Sequence, residues 1–382
     1  MQLLVLAHLL SGTTPPPLPK QTYFDEYASI YDHVGMLRDM QRMGAYHDAI
    51  RRNAGRHFRG KAVLDVGTGT GVLAIWAAQA GARKVYAVEA TGVARHAEAL
   101  VAAHGLQDVV TVLRGTMEEV ELPERVDVIL SEWMGYFLLR ESMVQSVIYA
   151  RDRWLKEGGA MYPGAARLMV HQLDDAPFVA RRKAEIEETM EEWARLGDTL
   201  HERFDLDLSA LQGAYAKEHF DWLYRTGWQG GVPSDVIVGE AHTLLEVDMA
   251  TVSTEQLFGW STTVSLPQIT PDAPLSGLCV WFDVTFPVDS TCAGEEDPES
   301  PPPKDVVLST SPLAPSTHWG STALFLNPPS VQPELTIGLT QSLEDHHNLN
   351  VSLRYLQVDS QKAAEPTEAF YSISAEVKGY EL

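Results

Sequence analysis

Apolar residues along this chain fall into two kinds of spacing, and the change from one to the other divides it. From Tyr23 to about Pro163, helical stretches alternate with short apolar runs. Met36, Met40, Met43, His47 and Ile50 recur at alternating steps of four and three, which predicts helix over 33–58. AVLDVG, KVYAVEA, VVTVLRG and VDVILSEW then follow, each short and rich in Val or Ile. Helical segments separate the first three, and Met117–Arg125 bridges to the fourth. Runs of this kind read as parallel strands buried on both faces, so the expected fold class is α/β with a doubly wound sheet.

After Tyr162-Pro163 the pattern changes. Residues 176–226 form a charged helical stretch, and beyond about 231 come strand-like segments such as HTLLEVDMA, GLCVWFDVTF, LTIGL and LNVSLRYL. Pro- and Gly-rich turns split them, which predicts an antiparallel barrel or sandwich. The organisation expected is a flexible lead over 1–22, a Rossmann-like domain over 23–163 and a β-barrel-like domain over 164–382. The segment 288–304 is rich in Pro and acidic residues and reads as a mobile insertion.

Composition narrows the function. The 382 residues carry 52 acidic and 29 basic side chains, a formal net charge of −23, which disfavours nucleic acid and anionic membrane and favours basic partners. The same acidity also serves solubility, so both readings stand. Cys279 and Cys292 are the only cysteines, so neither a disulfide framework nor a zinc cluster is expected, and a reducing compartment follows. The opening MQLLVLAHLL lacks a basic start and a small-residue cleavage site, so a frayed or docked terminus is expected rather than a signal peptide.

Candidate chemistry begins at Val63-Leu64-Asp65-Val66-Gly67-Thr68-Gly69-Thr70-Gly71, a strand running into a glycine turn and a helix. Such a turn lets the backbone approach a ligand closely. Val72 stands where a dinucleotide fingerprint has its third glycine, which departs from the nicotinamide pattern. Asp65 before the turn suits a ligand with a cationic amino group, and Glu89 at the next strand end suits a ribose diol. An acidic strand end also serves as a plain helix cap. Together with Met117-Glu118 after the third strand, these residues favour S-adenosylmethionine as cofactor.

The most informative stretch is Ser131-Glu132-Trp133-Met134-Gly135-Tyr136-Phe137-Leu138-Leu139-Arg140-Glu141-Ser142-Met143. Glu132 and Glu141 lie too far apart for one helical face, but a loop closing at Gly135 brings them together. A guanidinium between two carboxylates removes their repulsion, because its fork of N–H donors serves two acceptors. The alternative is a capped loop carrying two unrelated surface acids.

In this order, Tyr23-Phe24-Asp25-Glu26-Tyr27, the glycine turn, Glu89, Met117-Glu118, the Ser131–Met143 loop and Thr317-His318-Trp319 resemble the class I protein arginine N-methyltransferase family. The form of the loop is most similar to that family's plant branch 10. The resemblance implies a cofactor site of Tyr23, Phe24, His33, Met36, Arg42, Asp65, Gly67, Thr68, Gly69, Gly71, Glu89, Met117, Glu118 and Met143. Within it, Arg42 would pair the carboxylate of S-adenosylmethionine. It implies Glu132, Glu141, His318 and Asp39 as catalytic residues, with His318 paired to Asp39. Tyr27, Tyr136 and Trp319 are implied against the substrate, and no metal is.

The resemblance also implies that the stretch at about 176–230 is a homodimerisation arm. Phe178, Met190, Trp193, Leu196, Leu200 and Phe204 would dock on a partner subunit; a hairpin serving one subunit is the alternative. The implied substrates are basic Arg-containing proteins such as histone tails, the implied product asymmetric dimethylarginine, and the implied location cytoplasmic or nuclear. Competing readings are a methyltransferase of another substrate, a non-catalytic scaffold of the same fold and, most remotely, a nicotinamide oxidoreductase.

Overall fold

The structure, a computed structural model, describes residues 27–257, 260–267, 275–287, 305–330, 334–341, 349–356 and 366–373. The lead over 1–22, Tyr23, Phe24 and the acidic segment 288–304 lie outside the described residues.

The expected helix over 33–58 is two helices and a turn. Helix α1 (Ile30–Arg38) ends at Asp39, which has an extended backbone, and Asp39 then caps α2 (Met40–Arg52) by accepting from the Arg42 N–H. A π-type turn, Ala54–Phe58, follows. Asp is among the residues that best satisfy the free N–H groups of a helix start, so the break has a local cause. It also resets the buried face. Tyr46, Ala49 and Ile50 face the core, whereas Met40 of the expected stripe is 65% exposed.

Strands β1 (Ala62–Val66), β2 (Lys84–Glu89), β3 (Val110–Arg114) and β4 (Val126–Ser131) are the four expected runs. Between them lie α3 (Val72–Gln79) and α4 (Ala94–Ala103), and after them α5 (Val144–Trp154). A fifth strand, β5 (Leu155–Tyr162), joins the far edge. The order is β3-β2-β1-β4-β5 and every pairing is parallel. The chain winds outward from β1 to β3, then returns to the other side of β1 with β4. In open parallel sheets, the crevice at the carboxyl ends beside such a reversal is where ligands bind.

The second half pairs antiparallel. One sheet takes β6 (Ala165–Leu173), β7 (Trp228–Gly230), β8 (Ile237–Asp248), β10 (Leu275–Phe286) and β12 (Ser321–Ser330) in the order β7-β12-β10-β6-β8. Strand β11 (Val306–Ser309) also pairs with β10. The second sheet takes β9 (Thr263–Pro267), β13 (Glu334–Gln341), β14 (Leu349–Leu356) and β15 (Pro366–Ile373). Polar threads tie the halves together. Asn53 donates to the Pro287 carbonyl at 2.8 Å, and Arg151 donates to the Met249 and Val252 carbonyls at 3.0 and 2.7 Å.

Between β6 and β7 stand two long helices, α6 (Ala176–Phe204) and α7 (Ser209–Tyr224). Their base is anchored in their own subunit. Phe178, expected to dock on a partner, instead stacks on Phe325 at 5.0 Å and meets Trp228 edge-on at 5.2 Å. Trp193 is likewise engaged within the hairpin, stacked on Tyr215 at 4.3 Å. Toward the tip the apolar residues are bare: Leu196, Phe204, Leu206 and Leu211 are all exposed.

Candidate active site

A cavity of about 900 Å³ opens at the carboxyl ends of β1, β2 and β4, under α1 and α2. Its floor is the glycine turn, where three glycines hold positive φ (Gly67 +68°, Gly69 +55°, Gly71 +86°). Only glycine enters that region without strain. A Cβ on Gly67 would stand 2.2 Å from Met143 Cε, and one on Gly69 would stand 3.0 Å from the His33 ring. Gly71 has a different use: its missing side chain lets α4 approach, with Ala97 Cβ 3.2 Å from where a Cβ would be.

Glu89 ends β2, and its carboxylate is held by two backbone donors, Gly69 N–H at 2.9 Å and Thr91 N–H at 2.8 Å. Each oxygen keeps a lone pair, and Glu89 lines the cavity. Met117, Glu118 and Ser146 form the far wall, where the Ser146 hydroxyl donates to Glu118 at 2.7 Å.

The loop after β4 brings the two carboxylates to the same cavity. It folds back where Gly135 N–H donates to the Leu138 carbonyl at 3.0 Å. A Cβ on Gly135 would lie 1.9 Å from the Arg140 carbonyl oxygen, so only glycine fits there. Four non-glycine residues of this loop, Phe137, Leu138, Glu141 and Ser142, have φ between +56° and +81°. Such conformations cost about 1–3 kcal/mol each and persist where surrounding structure enforces them. The enforcement is burial: Trp133, Met134, Phe137, Leu138 and Leu139 are packed into the core.

Each glutamate faces a guanidinium of its own chain. Arg42 Nε donates to Glu132 Oε2 at 3.0 Å, and Arg140 Nη1 donates to Glu141 Oε1 at 3.1 Å. The Tyr27 hydroxyl donates to the other oxygen of Glu141 at 2.7 Å. Glu132 Oε1 is buried without a hydrogen-bond partner.

The opposite wall comes from the second half of the chain. His318 and Trp319 line the cavity, and the Trp319 indole donates to the Met134 carbonyl at 3.1 Å. Asp39 Oδ2 accepts from the His318 ring Nδ1 at 2.7 Å and from its backbone N–H at 2.9 Å. Burial works against the charge on Asp39. The His318 ring and the two backbone N–H groups outweigh it, and they hold the carboxyl below the ordinary value of 3.8.

Most site residues expected from the sequence meet here. Tyr27, His33, Met36, Arg42, Gly67, Thr68, Gly69, Glu89, Met117, Glu118, Glu132, Tyr136, Glu141, Met143, His318 and Trp319 all line the cavity. Among the described residues three of the expected ones do not. Gly71 packs α3 on α4. Asp39 stands behind His318. Asp65, expected to face a cationic amino group, is fully buried and accepts the Thr68 hydroxyl at 2.5 Å. Burial pushes its carboxyl up to about 7, against the Thr68 hydrogen bond. Arg42, expected to meet a cofactor carboxylate, here meets Glu132.

Comparison with known proteins decides the family. Residues 178–361 match the arginine methyltransferase oligomerization subdomain, and residues 63–159 match a methyltransferase domain. Protein arginine N-methyltransferase PRMT10 of Oryza sativa subsp. japonica is 40% identical over 339 residues, 87% of each chain. The chain belongs to the protein arginine N-methyltransferase family. Within that family it resembles the plant PRMT10 branch. The Arabidopsis thaliana PRMT10 is 40% identical over 352 residues, 90% of this chain and 89% of the relative. The crystal structure of Arabidopsis thaliana protein arginine methyltransferase 10 superposes with a TM-score of 0.82 at 38% identity, covering 92% of this chain and all of that one. A Trypanosoma brucei PRMT1 enzyme–prozyme heterotetramer with AdoHcy gives a TM-score of 0.73 at 30% identity, covering 91% of this chain. The helical hairpin of this methyltransferase therefore lies within its oligomerization subdomain.

Cavity residues that sequence reasoning passed over include Met43, Thr91, Thr116 and Ser146. Met43 showed only as part of the helical periodicity, and the others are small, common residues whose place depends on the fold.

The depressed carboxyl of Asp39 fixes a pH dependence. Its stabilising contribution is full above the ordinary carboxylate value of 3.8 and is lost as pH falls through its own lower value. Asp39→Asn keeps a capping oxygen but not the charge. In urea unfolding, the stability gap between wild type and variant should be widest near neutral pH and should close in strong acid. A gap independent of pH would show that the charge is not what matters.

Proposed function

We propose that this methyltransferase transfers methyl groups from S-adenosylmethionine to terminal nitrogens of arginine in basic protein segments such as histone tails, giving monomethyl and then asymmetric dimethyl products. The observation that carries this reading is that Glu132 and Glu141 line one cavity and each already accepts from a guanidinium.

The residues present fit the donor. Glu89 offers acceptors for a diol, the glycine turn brings bare backbone to the cavity, and Arg42 offers a cation for a carboxylate. S-adenosylmethionine supplies an electrophilic methyl group on a sulfonium centre. Arginine is a poor nucleophile because its guanidinium is delocalised and stays charged. The two carboxylates draw positive charge toward the nitrogens they hold, which leaves electron density on the remaining terminal nitrogen. Orientation by Glu132, Glu141 and the buried walls of Trp133 and Met134 supplies most of the help, an effect worth about 7–11 kcal/mol at best. His318, with Nδ1 held by Asp39, presents its other ring nitrogen as a route for the departing proton.

The methionines Met36 and Met143 beside the clamp support asymmetric dimethylation, as the family resemblance implies. Assembly is read as a homodimer through the 176–230 arm, because the bare apolar residues cluster at its tip. The net charge of −23 suits basic substrates.

Three measurements test these statements. Glu141→Gln should lower turnover of Arg-rich peptides by about 10²–10³-fold while S-adenosylmethionine binding, followed by calorimetry, survives; full turnover would remove the clamp. Mass spectrometry of wild-type products should find asymmetric dimethylarginine, and exclusively monomethyl or symmetric products would refute that assignment. Phe204→Asp combined with Leu211→Asp should convert a sedimenting dimer to monomer, and an unchanged sedimentation coefficient would place the interface elsewhere.

A further inference from the structure

Arg140 is unusual in two respects. Its side chain is only 4% exposed, yet it does not line the cavity; it lies behind Glu141, which does. Burying a guanidinium costs several kcal/mol unless it is paired and hydrogen-bonded. Here the guanidinium donates to Glu141 Oε1 at 3.1 Å and lies 5.5 Å from the centre of the Tyr136 ring.

Adjacent residues seldom hold one another. In a strand they point to opposite faces, and in a helix neighbours at i and i+1 do not face each other. The left-handed backbone of Glu141, with φ of +81°, turns consecutive side chains toward one another. The main chain of Arg140 is itself fixed, because its N–H donates to the Tyr136 carbonyl at 3.2 Å and its carbonyl presses on the bare face of Gly135. The guanidinium therefore stands on an anchored base.

We propose that Arg140 is a positioning residue for the methyl transfer, holding Glu141 in one orientation from behind. The inference rests on the reading of Glu132 and Glu141 as a clamp. A carboxylate has about four acceptor positions. Arg140 takes one on Oε1 and Tyr27 takes one on Oε2, so the two oxygens are gripped by donors on different elements. The plane of the carboxylate is thereby set before any substrate enters. The same arrangement carries a cost in affinity, because a fixed cation behind Glu141 repels an incoming cation. Arg140 thus trades substrate binding for alignment, and its removal should divide kcat from KM.

The test compares wild type, Arg140→Gln and Arg140→Lys on an Arg-containing peptide, with S-adenosylmethionine affinity measured by calorimetry on each. Arg140→Gln should lower kcat about a hundredfold, the scale expected for a misplaced reacting group. The KM for peptide should stay level or fall, and donor affinity should remain within twofold of wild type. Arg140→Lys restores the charge and should recover at least a tenth of wild-type kcat. The proposal is overturned if Arg140→Gln keeps kcat within threefold of wild type, if its peptide KM rises while kcat holds, or if kcat and donor affinity fall together. It is also overturned if Arg140→Lys is as inactive as Arg140→Gln. Should the glutamine variant fail to fold, the lysine variant alone decides, by the same tenth of wild-type kcat. Failure of the clamp reading would show separately, as wild-type protein that does not methylate the peptide.

Discussion

Two carboxylates facing one small cavity repel each other, and the site exists only because cations stand against both. Arg42 meets Glu132 and Arg140 meets Glu141, each at about hydrogen-bond distance. Those two guanidiniums offset the repulsion before any substrate enters. The rest of the architecture can be understood as holding these four charged groups in place. The cap helix brings Arg42, the strained loop brings Arg140 and both acids, and the parallel sheet fixes where the loop begins.

Asp39 has an equally connected position. One carboxylate ends α1, starts α2 and holds both the ring and the backbone of His318. The turn of the cap that places Arg42 and the arrival of the wall from the second half are therefore settled by one side chain. Trp319 adds a second tie, through the Met134 carbonyl inside the two-glutamate loop.

The parts legible in the sequence were those with a strong local signal. Strands β1, β2 and β4 are short apolar runs buried on both faces, β3 is a half-buried Val-rich run at the edge, and the glycine turn is written as alternating Gly. Strand β5 was passed over because LKEGGAMY has little apolar content; it lies at the sheet edge and is exposed in its middle. The break at Asp39 was hidden by a run of methionines that mimics one continuous face, although the residue is a good cap. The pairing of Arg140 with Glu141 could not be seen at all, since neighbouring side chains normally diverge and only the backbone turn at Glu141 joins them. Phe178 showed as one more apolar residue of the hairpin, and nothing local said that it belongs to the base rather than the tip.

Because the Met134 carbonyl and the Asp39 carboxylate are both gripped from the second half of the chain, the reaction chamber is a seam rather than a pocket cut into one unit. One hydrophobic core runs through both halves, so His318 and the acid loop keep their register only while that shared packing holds. Catalytic alignment in such a molecule reports the angle between its halves. Whatever stiffens that angle, including a neighbour resting on the outer helices, acts on the chemistry without coming near it.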